Sequence, residues 1–598
     1  MFIIAKSQEP TAWRGPEISI IVDLLLSHSV DTRPKVRKSA QGFIVSLISE
    51  EGQAVEVARS FIESKVMSFS SSVFKSCTGT ETVTALQLLG MIRDVSPFFS
   101  AKAIQSIAQN LVKMLSSDNG KMSQHVYSCL DSMMQVGEED GETVWSEKLL
   151  SRIIAAGVSS RPNVLSGSES IVACFRFLLT AVAKLQERSS MAAAEAASLV
   201  FGSVSDYMLP SPSGSDEIAV AAANLLCDTI DVCIKSDIVE EAAANSKAST
   251  VVESVVSHAV AAQGKKGMTP RVQEEVEKTL GAVIVNVGPE HLLAQVPLFS
   301  DPSHPDLSEA NNVWLLPAMK KHVRGGKLGF FVKNLLPLAE KLRTLAIAAD
   351  EQGRPVEAKN LMMVFHQVWG LLPSFMLESV DIAASFPSIA KTLGGAIESD
   401  PSLRPACCHA LLNGIRSMRT LSSSDQSMEE EEEEEPRLLS AEEAAASLTC
   451  LASFAKNYLP ILFNTISSSS QEERPLLLET VGEYAKITES SRLNGLFQNV
   501  MKKLLTAAAA GGDPMTDEPE LEANKVLLLE LSLALMPALD EASSEFLFKS
   551  STPFLSDPSG SVQKRAYKLL QLMGEEHTSL MQRKIGDLQL SHSPLRPP

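Results

Sequence analysis

Aromatic residues are scarce in this chain: Phe, Trp and Tyr together make up 5% of its 598 residues, with 4 Trp and 5 Tyr. Extended sheets favour aromatic and β-branched residues, so the shortage argues against a β architecture. Long hydrophobic runs are missing too. Nowhere do about 18 apolar residues stand together as a membrane span requires. The opening Met-Phe-Ile-Ile is followed by Lys6 and Glu9, an apolar run too short for a signal peptide. We expect a soluble intracellular chain with no membrane partner. Positive charge is also in deficit, since 53 Lys and Arg face 72 Asp and Glu and leave a net charge of -19. Wrapping nucleic acid along a whole surface needs the opposite balance, so any RNA contact has to be local.

Catalytic signatures are equally absent. The chain carries no phosphate-cradling GxxxxGK[ST], no GxGxxG, no GxSxG elbow and no HExxH. Its 8 cysteines are Cys77, Cys129, Cys174, Cys227, Cys233, Cys407, Cys408 and Cys450, scattered with no CxxC pair. His409 stands beside Cys407 and Cys408, but adjacent helical residues point about 100° apart. Cys227 and Cys233 lie roughly 9 Å apart along a helix, too far for one local zinc site or an unstrained disulfide. We expect reduced core thiols, no metal, no cofactor and no enzyme. The carboxylate pairs Glu240 with Glu241 and Glu442 with Glu443 read as solvated helix faces.

What the chain does have is helical periodicity. From Ile18 onward, apolar residues recur three and four apart in segments of roughly 12 to 22 residues, separated by short Ser, Pro, Gly or Asp clusters. One helix hairpin cannot bury its apolar face alone, whereas stacked hairpins do so jointly, which predicts an all-α solenoid of HEAT/armadillo-like hairpin repeats. Two segments at opposite ends support repeats: DTRPKVRKSAQGFIVSL from Asp31 and DPSGSVQKRAYKLLQLM from Asp557 align without a gap. Asp31 matches Asp557, Val36 matches Val562, Ala40 matches Ala566, and Phe43 with Ile44 matches Leu569 with Leu570. The Asp is expected to cap the next helix, with Arg37 reaching back to it and Gln563 standing in Arg37's place. At about 40 to 47 residues per repeat the chain holds roughly a dozen.

Seven glutamates, Glu429 to Glu435, follow a Ser-rich stretch and precede Pro436. Like charges repel and resist burial, so this is read as a flexible linker. The expected organisation is a solenoid over 1–421, an acidic linker over 422–437, a solenoid continuation over 438–590 and a disordered tail over 591–598. The acidic run either solubilises the chain or competes with nucleic acid for basic tails. Further loops are expected at 211–215, 264–269, 301–306 and 511–519.

One island departs from the acidic background. Between Asn311 and Leu345, Lys320, Lys321, Arg324, Lys327, Lys333, Lys341 and Arg343 face Glu340 alone. Either the island is a solvated helix face, or it attracts phosphates or an acidic partner, with Gly325-Gly326 as a flexible turn between two basic helix ends. Lys320, Lys321, Arg324, Lys327 and Lys333 are the candidate partner- or RNA-binding residues. Trp314 and Trp369 are expected in the core, with base stacking as the alternative. Pro337 reads as a kink or a fresh helix start.

The same segment carries a resemblance. Its motifs are Trp314-Leu315-Leu316-Pro317, Lys327-Leu328-Gly329-Phe330-Phe331, Val356-Glu357-Ala358-Lys359 and Gln367-Val368-Trp369-Gly370-Leu371-Leu372-Pro373-Ser374-Phe375. Together they resemble the core, at about 285–400 here, of the ribosomal RNA-processing protein 12 family. That resemblance implies a non-enzymatic nucleolar and nuclear HEAT scaffold acting in ribosomal RNA processing, pre-ribosomal subunit maturation and export. Its implied partners are pre-ribosomal particles and assembly factors, pre-ribosomal RNA, a Ran-type GTPase and nuclear pore proteins. A karyopherin-like transport receptor for other cargo is the competing expectation. Family members are typically longer and carry a Lys- and Arg-rich C-terminal region absent here, so the chain reads as truncated or shortened.

Overall fold

The computed structural model describes residues 10–49, 53–75, 82–115, 120–135, 144–163, 167–208, 216–234, 246–263, 268–301, 305, 307, 311–423, 439–509 and 518–583. Among these residues there are helices and no strands. Most of the expected acidic linker, from 424 onward, lies outside the described residues. So do Cys77, Glu240, Glu241, the loop at 211–215, most of those at 264–269, 301–306 and 511–519, and the tail at 591–598.

The chain divides into two compact units, Met1–Gln295 and Val296–Pro598. The first holds α1 (Pro16–Ser29), α2 (Pro34–Ile48), α3 (Gln53–Lys75), α4 (Thr82–Val95), α5 (Ala101–Leu115), α6 (Gly120–Met134), α7 (Glu147–Ser159), α8 (Ser168–Gln186), α9 (Ser190–Val204), α10 (Asp216–Cys233), α11 (Ser246–Gln263), α12 (Pro270–Val287) and α13 (Pro289–Gln295). Consecutive helices pair as α1 with α2 through α11 with α12. The odd-numbered helices also pack on one another in order, and so do the even-numbered ones from α2 to α12. That double succession is the two-layered stack of a solenoid, in which each hairpin buries its apolar stripe between its neighbours. In α8, with neighbours on several sides, burial extends around much of the helix: Ile171, Cys174, Phe175, Phe177, Leu178, Ala181, Val182 and Leu185 are all sequestered.

Helix starts follow local chemistry. Ser146, Ser189, Thr269, Ser440 and Ser559 each accept a first-turn amide with the side chain, satisfying a donor that a helix end leaves open. Pro16, Pro34 and Pro270 occupy the first helical position, where the missing N–H costs nothing.

The second unit holds α14 (Leu315–His322), α15 (Leu328–Phe330), which continues through a π turn at Phe331–Leu335 into α16 (Leu336–Glu351), then α17 (Pro355–Trp369), α18 (Leu372–Met376), α19 (Ile382–Ser399), α20 (Arg404–Ser423), α21 (Ala441–Ser453), α22 (Ala455–Ser468), α23 (Arg474–Ile487), α24 (Ser490–Ala509), α25 (Glu518–Leu535), α26 (Glu541–Ser551) and α27 (Gly560–Glu576). One layer runs α18, α20, α23, α25, α27, each packed on the next. The helices flanking the acidic run, α20 and α21, pack directly on each other. Glu443 does more than face solvent. Its carboxylate accepts the Ser440 backbone amide at 3.0 Å while Ser440 Oγ accepts the Glu443 amide, a closed capping box.

Cys129, Cys174, Cys233, Cys407 and Cys408 are buried free thiols, and Cys227 and Cys450 are half-buried. Burial pushes Cys129 and Cys174 up to about 12 and Cys408 up to about 11. His409 points outward from α20 while its two cysteine neighbours point in.

The paired Asp segments are placed alike but work differently from the sequence expectation. Neither Asp caps its helix. Asp31 Oδ1 accepts the Arg33 amide at 2.8 Å and Asp557 Oδ1 accepts the Ser559 amide at 3.0 Å, so each closes the turn that leads into the helix. Hydrogen bonds from Arg33 hold the Asp31 carboxyl well below the usual carboxylate range. Ala40 and Ala566 are both buried, but the next positions differ: Ile44 is sequestered in the first copy, and Leu569, the counterpart of exposed Phe43, in the second.

Candidate docking surface on the basic segment

The basic segment is built on a helix whose two sides are sharply different. In α14, Leu315, Leu316, Ala318 and Met319 are buried, while Trp314, Pro317, Lys320 and Lys321 are exposed. The helix packs against α17 and α18 with its apolar side, and its last turn carries the lysines where the negative end of the helix dipole favours cations. Arg324, Lys327 and Lys333 are exposed as well. All five candidate cations therefore reach solvent from α14, the loop after it and the π turn.

The Gly325-Gly326 turn is not a flexible joint. Gly325 has φ +64° and donates its amide to the Leu377 carbonyl at 3.1 Å. A Cβ on Gly326 would stand 3.2 Å from the Phe375 ring. Three residues later, the Asp381 carboxylate accepts two consecutive amides, from Leu328 at 2.6 Å and Gly329 at 2.9 Å. Ser379 and Ser385 also donate to that carboxylate, at 3.2 and 2.6 Å. The Leu328 and Gly329 amides are open donors at the start of α15, and an anion suits that helix end. Gly329 is required by the close approach: an added Cβ would meet Ser385 Oγ at 2.7 Å and Asp381 Oδ2 at 2.9 Å. Phe330 and Phe331 pack on Phe375 with centroid distances of 6.3 and 5.6 Å. Ser374 Oγ closes the clasp by donating to the Lys320 carbonyl at 2.6 Å. Expected flexibility is thus replaced by a loop pinned at several points, because α18 and the residues between it and α19 supply partners for the Lys320 carbonyl and for the Gly325, Leu328 and Gly329 amides.

Pro337 neither restarts nor ends the helix. It offers no amide to the Lys333 carbonyl and its ring crowds that oxygen, so the preceding turn widens to a π turn and the helix runs on. Arg343 lies over the Phe365 ring at 5.9 Å, occupied with packing on α17. The two tryptophans part company. Trp369 is 1% exposed, as expected, and its indole N–H meets no hydrogen-bond partner among the described residues. Trp314 is 40% exposed, against the core expectation. It stands at the N-cap of α14, outside the buried arc that Leu315 and Leu316 define.

The contact between Asp381 and Gly329 escaped the sequence reading because the two lie 52 residues apart and nothing local marks them as partners. Among the described residues no group of three or more His, Cys, Asp or Glu is placed to hold a metal ion, and no helix is long and apolar enough to cross a membrane.

Comparison with known proteins places this segment inside a family. The family model for ribosomal RNA-processing protein 12, HEAT repeats, matches residues 262–469, and that for RRP12-like, N-terminal HEAT repeats, matches residues 3–140. The human RRP12-like protein (Homo sapiens) is 25% identical over 618 residues, covering 95% of this chain and 44% of the relative. Ribosomal RNA-processing protein 12 of Saccharomyces cerevisiae is 27% identical over 309 residues, covering 51% of this chain and 24% of the relative. The chain thus spans less than half the length of these relatives. Among solved structures, importin beta in an ammonium sulfate condition aligns with 95% of this chain and 74% of its own at 13% identity and a TM-score of 0.33. Importin13 in its cytosolic state aligns with 96% of this chain and 74% of its own at 12% identity and a TM-score of 0.34. With both HEAT-repeat models matched and the relatives aligned along most of its length, the chain belongs to the ribosomal RNA-processing protein 12 family.

Proposed function

We propose that this chain is a non-catalytic HEAT-repeat scaffold of ribosome biogenesis, serving ribosomal RNA processing and the maturation and export of pre-ribosomal subunits in the nucleolus and nucleus. The observation that carries the reading is the coincidence of the family match at 262–469 with the clasped basic segment, where Lys320, Lys321, Arg324, Lys327 and Lys333 are exposed. A repeat stack offers a long surface assembled from many helices, and an electropositive island in an acidic molecule gives a phosphate-rich particle one preferred landing point. Affinity purification of the tagged chain from its own cells, with and without RNase, tests this. Recovery of pre-ribosomal assembly factors is expected. Recovery of a Ran-type GTPase and nuclear pore proteins without ribosomal precursors would overturn it in favour of a transport receptor for other cargo.

A further inference from the structure

The exposed face of α14 combines features that the scaffold reading does not require. Of the four tryptophans, Trp13, Trp145 and Trp369 are 3%, 1% and 1% exposed, whereas Trp314 is 40% exposed. Leaving a large indole in water is costly where it has no task, since burying such a side chain is among the larger apolar gains available to a fold. Along the helix, Trp314, Pro317 and Lys321 stand three and four residues apart, so they share one face, with Lys320 at its edge and Arg324 just beyond. From the indole to Lys321 the rise is about 10 Å at 1.5 Å per residue. The opposite face, Leu315, Leu316, Ala318 and Met319, is fixed in the core, and the loop carrying Arg324 is pinned through Gly325 and the Asp381 carboxylate. The backbone that carries the aromatic ring and the cations is thereby anchored before any ligand arrives.

We propose that Trp314, Lys320, Lys321 and Arg324 form a binding site for single-stranded RNA, with one unpaired base stacked on the Trp314 indole and the flanking phosphates held by the three cations. The proposal deepens the scaffold reading and rests on it for its biological setting. A stacked aromatic accepts any base through its π-face, and a short cationic track follows the backbone, so the site is sequence-tolerant and selects single strands over duplex. An acidic peptide would use the cations but has no need of the exposed ring. The single strand is therefore the better fit to the whole face.

The test is fluorescence anisotropy of the full chain with a labelled oligouridine, across a series of salt concentrations. Trp314→Leu keeps apolar bulk without an extended π-face and is expected to weaken binding about tenfold, while Trp314→Phe retains most of it. Lys320→Gln with Arg324→Gln is expected to flatten the dependence of log affinity on log salt by roughly 0.7 per lost phosphate contact. Circular dichroism and thermal unfolding of each variant separate lost binding from lost folding. Equal binding of a duplex RNA, an unchanged affinity in folded Trp314→Leu, or tighter binding of polyglutamate than of oligouridine would each overturn the site, the last in favour of an acidic protein partner. Failure here leaves an RNase-resistant association with assembly factors intact, so the site and the scaffold reading fall separately.

Discussion

Gln563 donates its side-chain amide to the Asp557 backbone carbonyl at 2.8 Å, the same bond that Arg37 makes to the Asp31 carbonyl at 2.9 Å in the segment that aligns with it. A substitution that looks like the loss of a repeat feature therefore preserves it. The bond needs only an N–H on a side chain long enough to reach back six residues, and charge is incidental. Gln563→Ala is expected to expose that carbonyl and cost about 1 kcal/mol, with Gln563→Arg restoring it. Hydrogen exchange of the amides across 557–566 is the appropriate readout, because a repeat stack need not unfold in one step. Equal protection in Gln563→Ala would show that the bond contributes nothing.

The same turn contains a second contact with a larger expected effect. Lys525 Nζ meets Asp557 Oδ2 at 2.9 Å, with the two side chains only 11% and 8% exposed. Removing one member of a buried pair strands the other charge, and Lys525→Met is expected to destabilise the packing of α25 on α27 by about 3 kcal/mol. Urea denaturation followed by pulse proteolysis near residue 557 would detect it, and a shift no larger than that of an exposed lysine variant would contradict it.

Asp381 is the organiser of the basic segment rather than one of its charges. Asp381→Ala removes the acceptor for two amides and two hydroxyls, each bond to a carboxylate contributing about 1.5–3 kcal/mol before compensation by water. Gly329→Ala attacks the same contact sterically. Both variants are expected to raise hydrogen exchange across 325–331 while the exchange of α23 to α27 stays unchanged. A loop that remains protected in both would mean the clasp is redundant with the Phe375 packing.

Glu483 ties α20 to α23. Its buried carboxylate accepts from Lys486 at 3.0 Å, Arg419 at 2.8 Å and Arg416 at 3.4 Å. Burial works to raise its pKa, but the Lys486 hydrogen bond and the charges of Lys486, Arg419 and Arg416 outweigh it and hold the group below the ordinary 4.5. A lowered folded-state pKa contributes stability that is fully present above the unfolded value and lost as pH falls through the folded one. Acid titration of thermal stability should therefore show a loss below pH 4.5 that is smaller in Glu483→Gln. The variant would be less stable at neutral pH, because it leaves the three cations without their shared carboxylate. Parallel acid profiles for the two proteins would count against this role.

The helical class was readable because a stacked hairpin needs its apolar residues at helical spacing, and that spacing recurs in segment after segment between Ile18 and Met573. Facing was readable only where both sides of a helix differ. Trp314 looked like core from its neighbours Leu315 and Leu316, yet one residue of offset at a helix start turns it out of the buried arc. The Gly325-Gly326 turn looked flexible because glycine is permissive in isolation. What fixes it, the Leu377 carbonyl, the Phe375 ring and the Asp381 carboxylate, arrives from about 50 residues away through tertiary packing. The five cations could be counted from sequence, but their exposure on a pinned scaffold could not.

Charge reversal of the basic segment separates a docking surface from a merely solvated face. Lys320→Glu, Lys321→Glu, Arg324→Glu and Lys327→Glu together place four anions where four exposed cations stood. Two of these fall in the last turn of α14, where an anion opposes the helix dipole at up to about 1 kcal/mol each. That cost is small beside the burial of Leu315, Leu316 and Met319, so the helical circular-dichroism signal should survive. Recovery of ribosomal precursors by the tagged chain is expected to fall sharply in the same variant. Reversal of Lys502, Lys503, Lys564 and Lys568, four exposed lysines on α24 and α27, makes the same change in net charge and should leave recovery unchanged. If both variants lose recovery equally, the effect belongs to the overall charge of an acidic chain and the basic segment is a solvated face.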